Sequence, residues 1–383
     1  MTEPMTPNLL QSIESKRVVL CAGPGGVGKT TTSAALALAQ ARLGRKVCVL
    51  TIDPARRLAD ALGVTLGDDV RRVDTSTLTG DAVEVSGELW ALMLDPAKTF
   101  DSLIRRIAPS EPVAQRLLDN VMYRQVSRAL AGTLEYTAVE KLYDLANTHS
   151  FDLIIVDTPP SKNVIDFLEA PQWLARFFEE NVFKWFVLLD PEAPAASFGK
   201  SVLKRTGRVV WDVLGKVLGR ELVLEFASFM RAIETMAGDF RKRAEGIEEL
   251  LRSDSTLFLV VVTPDSLVMR DGNTLYKEIA RRGISFGGFV VNRTQAPSGV
   301  GHVEEAVAEI TSVGNAHPVL SRVTHKMLVL LQDTQRLEEQ EHVAMDKLRQ
   351  DSGWSGLFAK VPTQFEEIHD LGGLHRLSEH FAS

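Results

Sequence analysis

A glycine-rich segment near the N-terminus has the residue types and spacing of a phosphate-binding loop. The run from Gly23 to Thr30, GPGGVGKT, satisfies G-x4-G-K-[ST], and it follows an apolar strand pattern and precedes an alanine-rich helical one. The glycines let the backbone curl so that amides up to Thr31 point at phosphate oxygens, aided by the helix N-terminus. Lys29 should reach the β- and γ-phosphates of ATP. The predicted nucleotide-binding residues here are Gly23, Gly25, Gly26, Val27, Gly28, Lys29, Thr30 and Thr31.

A magnesium site needs oxygen ligands, and the sequence offers two. The Thr30 hydroxyl is one, and Asp157, at the end of the apolar run FDLIIVD, is the second, which we expect to act through water. A strand-ending aspartate can also simply cap the next turn, and a glycine-rich loop can be an ordinary turn without a ligand. The phosphate-binding motif favours a joint ATP and Mg²⁺ site.

Composition restricts the class of protein. The chain has 383 residues, 45% of them apolar, and a net charge of −7, which argues against broad nucleic-acid binding. The N-terminus lacks the pattern of a secretory signal, and no apolar run is long enough for a transmembrane helix. Cys21 and Cys48 both lie in buried-strand patterns, so a disulfide is not indicated. We therefore expect a cytoplasmic globular protein with at most peripheral membrane contact.

The order of patterns predicts an α/β fold with a doubly wound, mostly parallel sheet and an inserted α-helical subdomain. Five apolar runs have strand character, and continuous runs of this kind suit a parallel sheet covered on both faces. Two helical stretches, at about 95–147 and 164–252, exceed a minimal βαβ succession. The expected division is 17–90 for the first part of the ATPase domain, 91–150 for the first helical part, 151–168 for the second-switch strand, 169–252 for the second helical part and 253–383 for the C-terminal part of the ATPase domain.

Several segments together resemble the ArsA-like ATPases, which include the arsenite-pump ATPase subunit and the ATPase that targets tail-anchored membrane proteins. Besides the phosphate-binding loop, they are TIDPARRLADALG at 51–63, AGTLEYTAVEKLYDL at 131–145, DTPPSKNVIDFLEAP at 157–171, VVNR at 290–293 and the closing VP…IHDLGGL. The resemblance covers most of the chain. It implies a P-loop ATPase of the deviant-Walker class that forms a dimer and whose helical subdomain changes shape with nucleotide state.

The resemblance implies roles for two further residues. Asp53 matches the first-switch aspartate that orients the attacking water, although it could instead cap the helix beginning near Pro54. Asn292 matches the asparagine that reads adenine, although an asparagine there could instead form a turn.

The chain departs from the family pattern at two places. Pro24 replaces the signature lysine that reaches the partner's nucleotide, which puts the catalytic rate in doubt but not binding. In the second switch, Ser161-Lys162-Asn163 replaces Thr-Gly-His. Lys162, Arg56 or Arg57 could restore the charge, or could simply face solvent. Two cysteines cannot build the family's arsenite cluster or a zinc CxxC pair, and the histidines lack metal-ligand spacing.

Aromatic residues are concentrated in the second helical part. They either form an ordinary core or line a groove for a hydrophobic client helix or lipid, and the loop at 190–199 between them is expected to be mobile. The set comprises Trp173, Phe177, Phe178, Phe183, Trp185, Phe186, Trp211, Phe226, Phe229 and Phe240, with Met230 and Met236.

The sequence therefore favours an ATPase, a homodimer or a heterodimer with a related subunit, that couples Mg-ATP hydrolysis to movement of an apolar client-binding region. One alternative is a catalytically weak nucleotide-binding regulatory subunit paired with a lysine-containing paralogue. Another is a partitioning ATPase working on a surface, against which we note the lack of a terminal basic amphipathic helix.

Overall fold

A computed structural model describes residues 8–53, 55, 57–78, 84–121, 123, 134–159, 164–172, 219–295, 307–312, 321–364 and 366–382. Its centre is an eight-stranded sheet. In chain order the strands are β1 (Val18–Ala22), β2 (Lys46–Thr51), β3 (Arg71–Arg72), β4 (Glu88–Met93), β5 (Leu153–Asp157), β6 (Thr256–Val262), β7 (Phe286–Thr294) and β8 (Phe358–Pro362).

The sheet is parallel except at one edge. Its order is β3-β4-β2-β5-β1-β6-β7-β8, and only β3 runs antiparallel to its neighbour. Every residue of β1, β5 and β6 is buried, as expected for strands covered on both faces. The carboxyl ends of β1, β2 and β5 therefore meet at one edge, where Asp157 lies level with Cys21 and with Thr51.

Helices cover both faces of this sheet. They are α1 (Leu9–Ser12), α2 (Lys29–Arg42), α3 (Arg57–Leu62), α4 (Pro96–Ile107), α5 (Glu111–Asp119), α6 (Leu134–Thr148), α7 (Arg220–Arg252), α8 (Ser266–Arg281), α9 (Ser321–Ser352) and α10 (Leu371–Glu379). Two apolar cores result, one on the side of α2 and α10 and one on the side of α4, α6, α7 and α8. Cys21 belongs to the first core and Cys48 to the second, and both thiols are free and buried.

Aspartates and prolines begin several of the helices. Asp95 accepts hydrogen bonds from the amides of Ala97 and Lys98, and Pro96 fits the first turn of α4 because it needs no amide donor. Asp265 caps α8 and Asp370 caps α10 in the same way. These caps fix where the chain leaves each strand, and so help to shape the carboxyl edge of the sheet.

The predicted fold class is confirmed: this is an α/β P-loop NTPase fold with a mostly parallel sheet. Helices α4, α5 and α6 lie between β4 and β5, and the helical segment 164–172 and α7 lie between β5 and β6. The domain boundaries stay a prediction. Strand β4 ends at Met93, three residues beyond the domain boundary expected at residue 90. The expected mobile loop at 190–199 lies outside the described residues, as do the aromatic side chains from Trp173 to Trp211.

Candidate nucleotide site

The loop between β1 and α2 takes a conformation that favours glycine. Gly26 and Gly28 have φ of 77° and 93°, in the left-handed region. A Cβ at Gly28 would lie 2.3 Å from Nδ2 of Asn292, and one at Gly23 would lie 2.2 Å from the Val261 carbonyl oxygen. The close approach of β6 and β7 thus explains the first and last glycines of the motif.

The inside of this loop is shaped to hold an anion. A Cβ at Gly25 or Gly26 would have none of the described atoms within 4 Å, so this side of the loop faces open space. Gly28 caps α2 without a side-chain hydrogen bond, and the first amides of a helix have no partner within it. These features open onto a cavity of about 650 Å³, of a size that suits a small-molecule ligand.

Lys29 lines the cavity and is buried. Its Nζ donates to the carbonyl oxygens of Gly23 (3.1 Å) and Pro24 (2.9 Å). Burial lowers the pKa of Lys29, and the nearby carboxylates of Asp157 and Asp53 partly oppose that effect. An incoming phosphate would offer the ammonium a charged acceptor in place of two carbonyls.

The Asp157 carboxylate is held by two hydroxyls and has one oxygen to spare. Its Oδ2 accepts from Thr30 Oγ1 (2.7 Å) and Thr51 Oγ1 (2.9 Å), whereas its buried Oδ1 has no hydrogen-bond partner among the described residues. Burial raises the pKa of Asp157 to about 6. A carboxylate and a hydroxyl beside a phosphate cradle suit Mg²⁺, which prefers oxygen ligands and retains water. The donor set therefore fits the metal expected at Thr30 and Asp157.

Asp157→Asn should stabilise the metal-free protein. A carboxyl pKa raised to about 6 means that ionisation at neutral pH costs the folded state about 3 kcal/mol relative to the unfolded chain. This cost is complete above the folded pKa and fades as pH falls toward the ordinary value of 3.8. In EDTA at pH 7, urea denaturation should show a gain of roughly 1–3 kcal/mol in the free energy of unfolding. At pH 4 the gain should be near zero, and an equal gain at both pH values would contradict the pKa assignment.

Asp53 lies beside the same cavity, two residues after β2. Its Oδ1 accepts a hydrogen bond from the Ala55 amide at 2.9 Å, so the local capping interaction considered above is present. Asp53 and the exposed Arg57, at the start of α3, both line the cavity. Arg57 is close enough to lower the pKa of Lys29. The structure thus brings Asp53 to the part of the cavity near Lys29 and leaves one of its carboxylate oxygens without this cap.

Asn292 links the phosphate-binding loop to β7. Its Nδ2 donates to the Val27 carbonyl oxygen at 2.8 Å, and the residue lies inside a strand rather than in a turn. Because Asn292 lines the cavity beside Gly28, its remaining amide atoms can face a base bound there. This location is compatible with the predicted contact to adenine.

Several residues in or beside the cavity were not among the predicted site residues. Thr51 donates to Asp157, and its place beside the end of β5 could have indicated this contact. Arg293 has φ of 60°, unusual for a residue with a side chain, where the register between β7 and β8 shifts. The end of β8 and the chain after it line the cavity at residues 362–364 and 366–369, and further unpredicted lining residues are Asp60, Ala61, Thr158, Pro159 and Leu377. Residues 362–364 and 366–369 fall within the closing VP…IHDLGGL run that carries the family resemblance, although none of them was predicted as a site residue.

Two of the candidate replacement cations cannot be placed. Arg56 and Lys162 lie outside the described residues, as does the second-switch run from Ser161 to Asn163. Only Arg57 of the three is described, and it lies at the cavity.

The comparison with known proteins agrees with this geometry. Residues 16–302 match the family model described as Anion-transporting ATPase, the ArsA-like family. The chain belongs to this family. No helix in the described part of the chain is long and apolar enough to cross a membrane.

Individual relatives are similar at a low level of identity. The chain is 25% identical over 287 residues to the "Putative arsenical pump-driving ATPase 1" of Aquifex aeolicus, covering 72% of this chain but only 63% of that protein. It is 26% identical over 297 residues to ATPase get3 of Aspergillus terreus, covering 76% of this chain and 78% of the relative. It is 24% identical over 304 residues to ATPase GET3 of Malassezia globosa, covering 76% and 77% respectively. These three relatives are all named as ATPases. In each case the matched region covers most of this chain and not only the nucleotide site.

Proposed function

We propose that this chain binds and hydrolyses Mg-ATP and couples the reaction to movement of its helical subdomain. The observation that carries the proposal is the grouping of Lys29, Thr30 and Asp157 around one cavity, with a buried Asp157 oxygen available to a ligand. Family membership adds that the chain descends from ATPases.

Each residue has a definable part in such a reaction. Lys29 neutralises charge on the β- and γ-phosphates, and the loop amides hold their oxygens. Thr30 and Asp157 would hold Mg²⁺, which supplies further charge neutralisation on the phosphates when bound. Asp53 accepts a hydrogen bond from the attacking water and orients it, which requires its carboxylate to turn from the Ala55 amide or to use its other oxygen. Asn292 recognises the base.

A buried polar network offers a route from the nucleotide site to the helices. Asp68, in the chain after α3, accepts from Thr99 of α4 (3.0 Å) and from Lys141 of α6 (2.7 Å). The Lys141–Asp68 pair is almost completely buried, so the groups cannot separate cheaply. A shift of α3 that follows a change at Asp53 would therefore be transmitted to α4 and α6.

The α6 and α7 helices are clamped together as well. Arg243 Nε donates to both Glu140 oxygens, at 2.9 and 3.1 Å, and Glu140 is buried. Two-oxygen contact of this kind fixes orientation as well as distance. We infer that α6 and α7 move as one unit.

The proposed client-binding region is the second helical part of the chain. In the described part of the second helical stretch, Phe229, Phe240, Met230 and Met236 are buried in the core, and Phe226 packs against it. For these residues the ordinary-core interpretation holds. The other aromatic residues of that stretch, from Trp173 to Trp211, lie outside the described residues. We further propose a cytoplasmic homodimer or a dimer with a related subunit, without nucleic-acid binding.

Pro24 favours a second candidate function. If the missing lysine is not replaced, the chain is a catalytically weak nucleotide-binding subunit whose activity depends on a lysine-containing paralogue. Arg57 at the cavity argues for the first candidate, since a cation already lies near Lys29.

Phosphate release from ATP by the purified chain tests the proposal. Multiple turnovers that require Mg²⁺ and stop in EDTA support the ATPase. Tight Mg-ATP binding without turnover would leave the regulatory subunit instead, and the absence of Mg-ATP binding would contradict both.

A further inference from the structure

The end of strand β7 contains one residue more than the strand beside it. Asn292 lies opposite Val361 and Thr294 lies opposite Pro362, so Arg293 has no counterpart on β8. Its φ of 60° lies in the left-handed region, which glycine adopts at no steric cost. We call residues 292–294 the β7 bulge. Bulges are rare between parallel strands, and they are over-represented beside active sites, where they redirect a side chain.

Contacts on both sides hold the β7 bulge in place. Before it, Nδ2 of Asn292 donates to the Val27 carbonyl oxygen of the phosphate-binding loop at 2.8 Å. After it, the Thr294 carbonyl oxygen accepts from an amide of the chain following β8 at 2.9 Å. The next amide, that of Gln295, donates to the Glu341 carboxylate of α9, at 2.9 and 3.0 Å. A strained residue persists only where its surroundings enforce it, and such residues cluster at ligand-binding sites.

The β7 bulge brings two neighbouring residues to the same cavity. Successive side chains of a regular strand point to opposite faces of the sheet, yet Asn292 and Arg293 both line the cavity beside the phosphate-binding loop. Arg293 is exposed, and within the described part of the chain its guanidinium makes no hydrogen bond or ion pair. A cation is therefore available to a ligand at the end of the cavity where Asn292 lies.

Arg293 lies away from the phosphate-binding end of the cavity. Of the two arginines among the described lining residues, only Arg57 is close enough to lower the pKa of Lys29. Arg293 instead follows Asn292, to which the proposed function assigns the base of the nucleotide. The planar guanidinium of arginine stacks on aromatic faces as well as carrying charge, and a nucleotide base offers such a face.

We propose that Arg293 stacks on the base of the bound nucleotide and so contributes to nucleotide affinity. This inference rests on the proposed function, since it needs a nucleotide in the cavity with its base beside Asn292. Asn292 contacts the edge of the base, whereas Arg293 covers the face of the ring. Stacking tolerates different bases, because every base has an aromatic face. The β7 bulge thus supplies affinity, and the amide of Asn292 supplies selectivity.

Removal of the Arg293 side chain should weaken Mg-ATP binding about tenfold in titration calorimetry, as expected for the loss of one stacked cation. Arg293→Ala and Arg293→Gly should lose affinity by the same factor. Glycine suits a φ of 60°, so the glycine variant keeps the fold, which thermal unfolding checks. The matched control is Arg281→Ala. It removes an exposed arginine from the end of α8 that precedes β7, outside the cavity, and should bind Mg-ATP like the wild type.

Two further comparisons separate stacking from a simple charge effect. Arg293→Lys should recover little of the lost affinity, because an ammonium keeps the charge but lacks the planar face. Mg-tripolyphosphate carries the phosphates without a base. It should therefore bind Arg293→Ala within about twofold of its affinity for the wild type.

Three results would overturn the proposal: wild-type affinity for Mg-ATP in Arg293→Gly, wild-type affinity in Arg293→Lys, or an equal loss for Mg-ATP and Mg-tripolyphosphate in Arg293→Ala. The last result would place the guanidinium on the phosphates. A wild type that binds no Mg-ATP would instead contradict the proposed function itself, so the two failures are distinguishable.

Discussion

Asp53→Asn should reduce ATP turnover by at least about 100-fold while leaving the affinity for Mg-ATP within a few-fold of wild type. Asparagine keeps the size of the side chain and can still accept from the Ala55 amide, so the local fold after β2 is retained. It cannot accept a proton from the attacking water or attract its hydrogen atoms as a carboxylate does. The loss should therefore appear in the maximal rate, measured by phosphate release at saturating Mg-ATP.

Asp60→Asn provides the matched control. Asp60 lines the same cavity from α3 and is exposed, so the control removes an equal charge from the same region. We expect its turnover to stay within a few-fold of wild type. A similar loss in both variants would indicate a general electrostatic effect, and full activity of Asp53→Asn would show that Asp53 only caps its own turn.

Pro24→Lys should raise the turnover of the purified chain if the charge missing from the phosphate-binding loop limits the rate. A well-placed cation on the transferred phosphate is worth on the order of 10³–10⁵ in rate, so even a poorly placed lysine should give about tenfold. The change is tested at saturating Mg-ATP. In a homodimer both nucleotide sites lack the loop lysine, so Pro24→Lys would supply the positive charge to both sites at once.

Arg57→Ala distinguishes the competing explanation. Arg57 lies at the cavity near Lys29, so it could already supply the charge within the chain. In that case Arg57→Ala should lower turnover strongly, and Pro24→Lys should leave the wild type unimproved and partly rescue the Arg57 variant. A wild type that is slow alone, is unaffected by Arg57→Ala and is accelerated by Pro24→Lys would support pairing with a lysine-containing subunit.

The parts of the fold predicted from sequence are those with strong local patterns. Continuous apolar runs identified β1, β2, β5, β6 and β7 because strands buried on both faces need apolar side chains throughout. β4 and β8 were missed. ELWALM begins with the partly buried Glu88 and FAKVP has the exposed Lys360 at its centre, so neither is a continuous apolar run, and their role as strands follows from their neighbours. β3 has only two residues, both arginine and exposed, which no local pattern marks as a strand.

In the candidate site, too, the residues predicted from sequence are those with strong local patterns. The loop residues were predicted from a motif whose spacing is dictated by phosphate geometry, and Asp157 was predicted from its place at the end of an apolar strand. The structure brings Asp157 to one cavity with Gly25, Gly26, Gly28, Lys29, Thr30 and Thr31, whereas Gly23 and Val27 do not line that cavity. Strand order brings Thr51 to Asp157, and it brings residues 362–364 and 366–369 to the cavity, although these residues are distant in sequence. The resemblance, rather than the residue pattern, supplied Asp53 and Asn292. Their roles stay predictions, although both line the cavity.

Titration calorimetry with ATP and Mg²⁺, comparing wild type with Lys29→Ala, tests the central claim that the cavity around Gly23–Thr31 is a Mg-ATP site. The control is Lys277→Ala, which removes an exposed lysine from α8, away from the cavity. Loss of the buried charge at Lys29 should weaken binding roughly 100-fold, about 3 kcal/mol, with wild-type affinity in the control and no tight binding by either protein in EDTA. Unchanged Mg-ATP affinity in Lys29→Ala would contradict the assignment of the site.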